Sequence, residues 1–503
     1  MNAVVRLVAV AVCATFATLL PPALVALLSG DLAMAVQMGL VAMLGGLFGA
    51  LVLLANAGRS RALRRMDGLL AVVLSWLAAS LGASLATSEL FELPFARALF
   101  EATAALTTTG QSVLGERAAI APPLLLWRVT LEWFGGLLTL VCLLQIVAPA
   151  GLGGLPQFTG RLFTRASKGR GRSEEGVTAT AAVEDAMTLS RSRRIAGRYL
   201  VVTLLFWLVF LVVGLAPLDA LMLAMVGVAT GGFVFFDGPL VDVLGAAGML
   251  ALALALLLGA TSIFWQSGAN LTADRFRRRN VEAIAIAAIA AVVAFILFLR
   301  LLTVTGEPAL GLETLAESVL GAASLVATSG IESRPGFLAL LPDVALLMLV
   351  FTGASLFSTT GGVKLYRIVG LARYAENELV NLIYPSAVSP LSVGGRPVPD
   401  ATLGAIWAYF VFAVAFVALA AFGLALGPFG FEAAFKAAVS LFTNAGPLYD
   451  AMVPQAVGVE EGWPAFRDLG APLLGWASFV MLLGRLEILV VFAALNIHFW
   501  TGR

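Results

Sequence analysis

Charge is scarce in this chain. Of 503 residues only 12% are Asp, Glu, Lys or Arg, against about a quarter in an ordinary soluble domain, while 60% are hydrophobic. Such a composition excludes a water-soluble fold, because the apolar surface cannot all be buried in one core and most of it must face lipid. Cysteine is nearly absent, and Cys13 and Cys142 both fall inside apolar runs, which excludes a disulfide framework or a zinc site. The single histidine, His498, closes the last apolar run and reads as an interfacial residue without chemistry. There is no HExxH, no GxSxG and no GxxxxGK loop, so the sequence shows neither hydrolytic chemistry nor a means of hydrolysing ATP; the chain is not read as an enzyme. Net charge is +1, which removes the global basicity that nucleic-acid binding requires.

Long apolar runs are what the sequence has instead. A helix crossing roughly 30 Å of hydrocarbon needs about 20 apolar residues. Ten runs approach or reach that length: 3–28, 33–54, 69–86, 124–148, 199–216, 241–264, 283–303, 344–357, 403–426 and 470–492. The first could be a signal peptide, but its length, the Pro21-Pro22 pair and the second run directly after it favour a retained helical hairpin. Every basic cluster follows an even-numbered run: Arg59, Arg61, Arg64 and Arg65; Arg161 through Arg198; Arg275, Arg277, Arg278 and Arg279; Lys364, Arg367 and Arg373. All four then share the cytoplasmic side, together with both termini. The polar stretch 151–198 reads as a cytoplasmic linker or docking surface, not as a domain. The opposite loops carry Glu89, Glu92, Glu116, Asp237, Glu307, Glu313, Glu332, Asp450, Glu460 and Glu461, with few basic residues such as Arg117 and Arg467. That acidic face either concentrates cations at an outer vestibule or is simply a solvated surface.

Each outer loop after runs three, five, seven and nine contains a short segment ending in a small-residue turn with glycine: FEATAALTTTGQ, LMLAMVGVATGGF, GAASLVATSGI and AAVSLFTNAGP. Aligned on one glycine they give Thr108-Thr109-Gly110, Thr230-Gly231-Gly232, Thr328-Ser329-Gly330 and Asn444-Ala445-Gly446. The lead-ins, about ten residues each, are too short to span and suit a re-entrant half-helix. Non-helical backbone at membrane depth is tolerated only inside protein or around a water-filled cavity, so four such turns imply a shared central cavity. A half-helix entering from outside points its partially negative C-terminus at that cavity, and the residues after it offer backbone carbonyls in place of an ion's water shell. None of the four triplets contains a carboxylate, which favours a weakly hydrated monovalent cation over calcium.

With these four loops, WRVTLEWFGGLL (Trp127 to Leu138), FSTTGGVKLYRI (Phe357 to Ile368) and MLLGRLE (Met481 to Glu487), the chain resembles the Trk/Ktr/HKT superfamily of potassium transporters, specifically its TrkH-like membrane subunits, over nearly its whole length. The resemblance implies an all-α polytopic membrane protein with four membrane–pore-loop–membrane repeats in fourfold pseudosymmetry, preceded by an N-terminal two-helix hairpin. The corresponding division is hairpin 1–66, pore repeat 67–150, cytoplasmic linker 151–198, and pore repeats 199–280, 281–385 and 386–503. It implies a homodimer in the membrane, a cytoplasmic nucleotide-binding (TrkA-like) regulatory partner, and K+ as the transported ion at the twelve triplet residues, with no organic cofactor in this chain. Gly231 beside Gly232, Asn444-Ala445 in the last loop, and Gln111 after Gly110 depart from the pattern, and a sodium or non-selective transporter of the same fold is the alternative. Sodium-preferring relatives tend to carry serine at the first glycine, which here is Gly110.

Two further places stand out. The run Gly353 to Gly362 interrupts an apolar stretch with Ser358, Thr359, Thr360, Gly361 and Gly362, which is poor helix. It resembles the family's intramembrane gate loop; the alternative is a helix break at the cytoplasmic interface. Arg485 sits midway in the last apolar run, where a charge is costly enough to be a functional candidate, either as part of the gate or as a local ion pair with Glu487.

Overall fold

The computed structural model describes residues 2–57, 65–147, 174–262, 281–305, 311–384, 392–393, 396–397, 400–454 and 463–495. His498, Glu307, Glu460, Glu461, the arginines at 59, 61 and 64, those from 275 to 279 and residues 151–173 of the linker lie outside them. Within the described residues the protein is helical apart from a two-residue antiparallel ladder, 392–393 with 396–397.

A bent hairpin opens the chain: α1 (Asn2–Ala17) and α2 (Leu20–Leu28) make one crossing, and α3 (Leu32–Ala55) returns. The bend falls where Pro21 and Pro22 remove the amide donors for the preceding turn. Asp31 caps α3 by accepting from the Met34 N–H at 3.0 Å.

Four units then follow, each with a short helix between longer ones. They are α4 (Arg65–Leu90), α5 (Phe95–Leu106) and α6 (Pro122–Cys142); α7 (Glu174–Val213), α8 (Pro217–Ala229) and α9 (Leu240–Ala260); α10 (Val281–Thr305), α11 (Leu312–Val326) and α12 (Asp343–Thr352), with α13 (Leu365–Ile383) beyond a loop; and α14 (Asp400–Ala425), α15 (Phe431–Phe442), the single turn and a half of α16 (Pro447–Ala451), and α17 (Ala471–Arg485) with α18 (Ile488–Leu495). The short helices α5, α8, α11 and α15 have 12, 13, 15 and 12 residues. At a rise of about 1.5 Å per residue they reach roughly 18–23 Å, less than a bilayer core. Almost every residue in their C-terminal halves is buried, so these helices stand inside the protein and not against lipid. The outer helices show the reverse, with Leu44, Phe48, Leu205, Val212, Phe295, Phe412 and Phe422 exposed, as lipid contact allows.

The units close on themselves. α6 packs on α8, α9 on α11, α12 on α15, and α17 on α5, so each short helix is held by the element that ends the unit before it, and the last unit meets the first.

Eight helices among the described residues are long and apolar enough to cross a membrane, where the sequence suggested ten. Runs 344–357 and 470–492 are the two that differ. α12 ends at Thr352 because Gly353 turns to φ +63, and α17 ends at Arg485 because Glu487 sits at φ +58. Within the stretch read as a linker, α7 begins at Glu174. Two of the charges read as topology signals prove to be internal: Lys364 and Arg367 are buried, and Arg367 pairs with Glu487 at 2.6 Å beneath the Tyr409 ring.

Glycine sets one of the closest helix contacts. A Cβ on Gly135 of α6 would overlap the Leu106 carbonyl at the end of α5, whereas Gly39 on α3 faces open space. Alanine is the better helix former by about 1 kcal/mol, so propensity alone predicts stabilisation at both sites. Gly135→Ala instead destabilises by roughly 1–3 kcal/mol through overpacking against backbone, while Gly39→Ala does not. Thermal melting of the two purified variants in detergent checks this, and a Gly135→Ala protein as stable as the parent refutes the contact.

Candidate functional site

The C-terminal ends of α5, α8, α11 and α15 converge, and each ends in the same turn. Thr108, Thr230, Thr328 and Asn444 all take the left-handed conformation, at φ of 56, 53, 54 and 56°. The next amide in each case reaches back five residues: Thr109 to Ala104, Gly231 to Val226, Ser329 to Ser324 and Ala445 to Ser440, all at 2.9 Å. This is the Schellman arrangement, which satisfies two of the carbonyls a helix end leaves open and swings the chain away from the axis. A left-handed threonine costs about 1 kcal/mol or more relative to glycine, so four of these non-glycine residues are held there by their surroundings.

Past the turns the loops touch in sequence around a ring. A Cβ on Gly110 would strike Gly232; on Gly232, the Ser329 carbonyl and Pro447; on Gly330, the Leu448 amide; on Gly446, Gln111 and the Thr109 carbonyl. Two hydrogen bonds stitch neighbours together, from Ser329 Oγ to the Gly231 carbonyl at 2.6 Å and from the Gly446 N–H to the Thr109 carbonyl at 2.8 Å. Asn444 Nδ2 donates to Thr109 Oγ1 at 3.0 Å and to the Met481 carbonyl at 3.1 Å, which gives the odd fourth loop a tie to the first that threonine could not make with both. The twelve triplet residues thus come together, with Gly110 and Gly330 at φ of +76 and +75° where a side chain is disfavoured.

The run Ser358 to Gly362 lies directly beneath that ring. Its neck is closed where the Val363 N–H donates to the Phe351 carbonyl at 2.8 Å and Gly353 packs on Gly361 and Gly362. Thr359 Oγ1 bonds Thr230 Oγ1 at 2.9 Å, the Gly361 N–H donates to Thr328 Oγ1 at 2.8 Å, and Gly361 abuts the Thr443 carbonyl. Ser358 Oγ shares a hydrogen bond with Thr360 Oγ1 at 2.8 Å, and Lys364 Nζ donates to the Thr360 carbonyl. Glu282, in the first turn of α10, anchors the loop's start through Ser355 Oγ at 2.7 Å and the Leu356 N–H at 2.9 Å. The loop is buried and joined to three of the four turns, so it is inside the protein and not at an interface with water.

Arg485 does not pair with Glu487, whose carboxylate is taken by Arg367. Its Nε donates to Thr139 Oγ1 on α6 at 2.8 Å, and its two terminal nitrogens have no hydrogen-bond partner among the described residues. No hydrogen bond joins it to the Ser358–Gly362 run among those residues, yet it is near enough to Lys364 for the two cations to repel. Lys364 is a second buried positive charge that the sequence reading counted as a loop residue.

Other buried charges were also missed. Glu101 on α5 accepts from the Val113 N–H and from Arg128, and Glu317 on α11 holds Ser333 and Arg334, so each carboxylate pins the strand that leaves its own turn. Lys436 on α15 reaches Asp343 and Glu432. Charges inside short buried helices were the available signal. Of the outer acids, Asp237 accepts from the Arg117 and Ala118 amides and Glu332 from Gly336 and Leu338, so both serve loop structure. Asp450 instead accepts from Gln111 Nε2 at 3.1 Å, one residue beyond Gly110. Its surface reaches solvent, and the partial burial of its carboxyl by the surrounding loops pushes it up to about 6, against the lowering effects of Gln111, Arg117 and Arg467.

No protein-family model matches the chain. Curated relatives do: "Trk system potassium uptake protein TrkH" of Vibrio parahaemolyticus is 28% identical, with 99% of each chain covered, and the protein of the same name from Halomonas elongata is 28% identical, with 96% of each covered. The Halomonas elongata protein TrkI is 29% identical over 85% of this chain and 82% of its own. The crystal structure of the potassium transporter TrkH from Vibrio parahaemolyticus superposes with a TM-score of 0.78 at 25% identity, covering 99% of both chains. These likenesses over nearly the full chain support a TrkH-like member of the Trk/Ktr superfamily.

Proposed function

We propose that the chain takes up potassium across the bacterial inner membrane as the ion-translocating subunit of a Trk-type system. The ring formed by the four triplets from Thr108, Thr230, Thr328 and Asn444 is its selectivity filter. The observation that carries this reading is the repetition of one left-handed helix-ending turn in four loops that touch around a ring, since it aims four helix C-termini at one point, where partial negative charge favours a cation. The protein transports and does not catalyse. The names of its relatives support potassium as the ion and a larger Trk system as the setting. On this reading the hairpin 1–66 and the pore units beginning at residues 67, 199, 281 and 386 form one subunit of a homodimer. A cytoplasmic nucleotide-binding, TrkA-like partner docks on the basic surface between Arg161 and Arg198. The run Ser358 to Gly362 with Arg485 is the gate.

Gly110→Ser adds a side chain against Gly232 and at a left-handed φ, so rubidium uptake into liposomes becomes more strongly competed by sodium relative to potassium. An unchanged competition ratio with normally folded protein removes Gly110 from the filter.

Arg485 places a fixed cation below the ring, and at an effective dielectric near 20 a unit charge about 4 Å from an ion opposes it by roughly 4 kcal/mol. Arg485→Ala therefore raises basal rubidium flux and weakens dependence on the regulatory partner, with ion preference kept. Lower flux with altered preference means instead that Arg485 supports the filter.

Asp450 carries its negative charge only above its raised pKa of about 6. Uptake at limiting rubidium thus falls as the external pH drops through that value, and Asp450→Asn is low and flat across the same range. A parent profile that matches the Asp450→Asn profile shows that this carboxylate does not assist ion entry.

A further inference from the structure

Three buried charges stand behind the first two filter loops. Glu101, from α5, is fully buried; Arg128 and Glu132, one turn apart on α6, are 2% and 0% exposed. Arg128 Nε donates to Glu101 Oε1 at 2.6 Å, its Nη1 to Glu132 Oε2 at 2.8 Å, and its Nη2 to the Gln111 carbonyl at 3.4 Å, while its guanidinium lies over the Phe233 ring at 4.5 Å. The remaining contacts of both carboxylates are also with donors. Glu101 accepts from Ser112 Oγ and the Val113 N–H, and Glu132 Oε1 accepts from the Phe233 N–H at 3.4 Å. Every hydrogen bond to these two carboxylates among the described residues comes from a donor, and one arginine serves both, so the set holds one acid more than it has bases.

The unmatched acid has an address. The space a Cβ would need at Gly231, the middle residue of the second filter triplet, is occupied by Glu132 Oε1. Gly231 is not among the residues with positive φ, so its backbone does not demand glycine. The carboxylate does. The double glycine that sets the second loop apart from the other three is therefore the counterpart of Glu132, and the far side of the same residue is fixed by Ser329 Oγ on the Gly231 carbonyl.

We propose that Glu132 is an affinity-determining residue of transport: it holds a fixed negative charge against the back of the second filter loop at Gly231, and this charge raises the filter's affinity for the permeating cation. The proposal rests on the filter reading given above. The other charged groups that face Glu132 are Arg128, Glu101 and, farther along, Arg485.

The test is rubidium uptake by the purified full-length chain in liposomes, with KM and Vmax measured separately and normalised to folded protein. Glu132→Gln keeps the shape and removes the charge; its KM for rubidium rises about tenfold while Vmax stays within about a factor of two. Glu132→Asp, which keeps the charge, lies closer to the parent in KM. A KM unchanged in Glu132→Gln, in a preparation where Gly110→Ser still alters ion competition, overturns the role of Glu132 and leaves the filter intact. If Glu132→Gln does not fold, the pairing is read from Gly231: Gly231→Ala alone loses uptake, and Gly231→Ala combined with Glu132→Ala regains Vmax with KM still raised. Failure of the second change to restore uptake overturns the proposal, as does a restored KM.

Discussion

Polar backbone placed at membrane depth has to find its partners inside the protein, and the rest of this structure follows from that constraint. Four chains leave helix ends in the middle of the molecule, and none has water-facing alternatives of the kind a surface loop has. Each solves the problem locally with a left-handed residue and a five-residue backbone hydrogen bond. Each then needs walls on every side, which explains why α5, α8, α11 and α15 are buried almost completely along their inner halves and why the units pack head to tail around a ring.

Charge is rationed for the same reason. Desolvating an ion inside protein costs several kcal/mol, and losing one partner of a buried pair costs about 3–5 kcal/mol, so the buried groups occur as sets: Arg128 with Glu101 and Glu132, Arg367 with Glu487 and the Tyr409 ring, Lys436 with Asp343 and Glu432. Two cations stand apart among the described residues: Lys364, which donates to Thr360 and forms no salt bridge, and Arg485, which is less satisfied still. Only its Nε is satisfied, by Thr139, and its terminal nitrogens have no partner among the described residues. An incompletely paired cation beneath the ring is poorly explained by stability, which is why Arg485 belongs to the proposed gate. α6 links the two themes, carrying Glu132 behind the second loop and, two turns on, Thr139 beneath Arg485.

The loop from Gly353 to Gly362 shows how a mobile-looking sequence becomes a defined structure. Its glycines and hydroxyls are poor helix, yet Thr359 and Gly361 bond to Thr230 and Thr328, and Lys364 and Glu282 hold its two ends. The Thr359 hydroxyl and the Gly361 N–H bond to two of the four turns, so any movement of the loop reaches the ring directly, because the same threonines that hold it are the left-handed residues of those turns.

Much of this was written in the sequence. Scarcity of charge and the length of the apolar runs determined a membrane protein; the recurrence of a short segment ending in a glycine-bearing turn marked four equivalent loops, although the left-handed residue in each is the Thr or Asn two places before the glycine. Local chemistry is enough for both. What only the tertiary structure decided is which distant groups meet. Hydropathy makes runs 344–357 and 470–492 read as spans, but their helices stop where Gly353 and Glu487 turn to satisfy contacts made by other helices. Arg485 has its nearest acid two residues away in sequence and yet bonds to Thr139, because Glu487 is claimed by Arg367. Gly231 reads as a lapse in a repeat until Glu132 is seen in the space its side chain would fill. Periodicity and turn propensity act over a few residues and are legible in one dimension; the pairing of buried charges is a competition among all groups that packing brings together, and its outcome exists only in three.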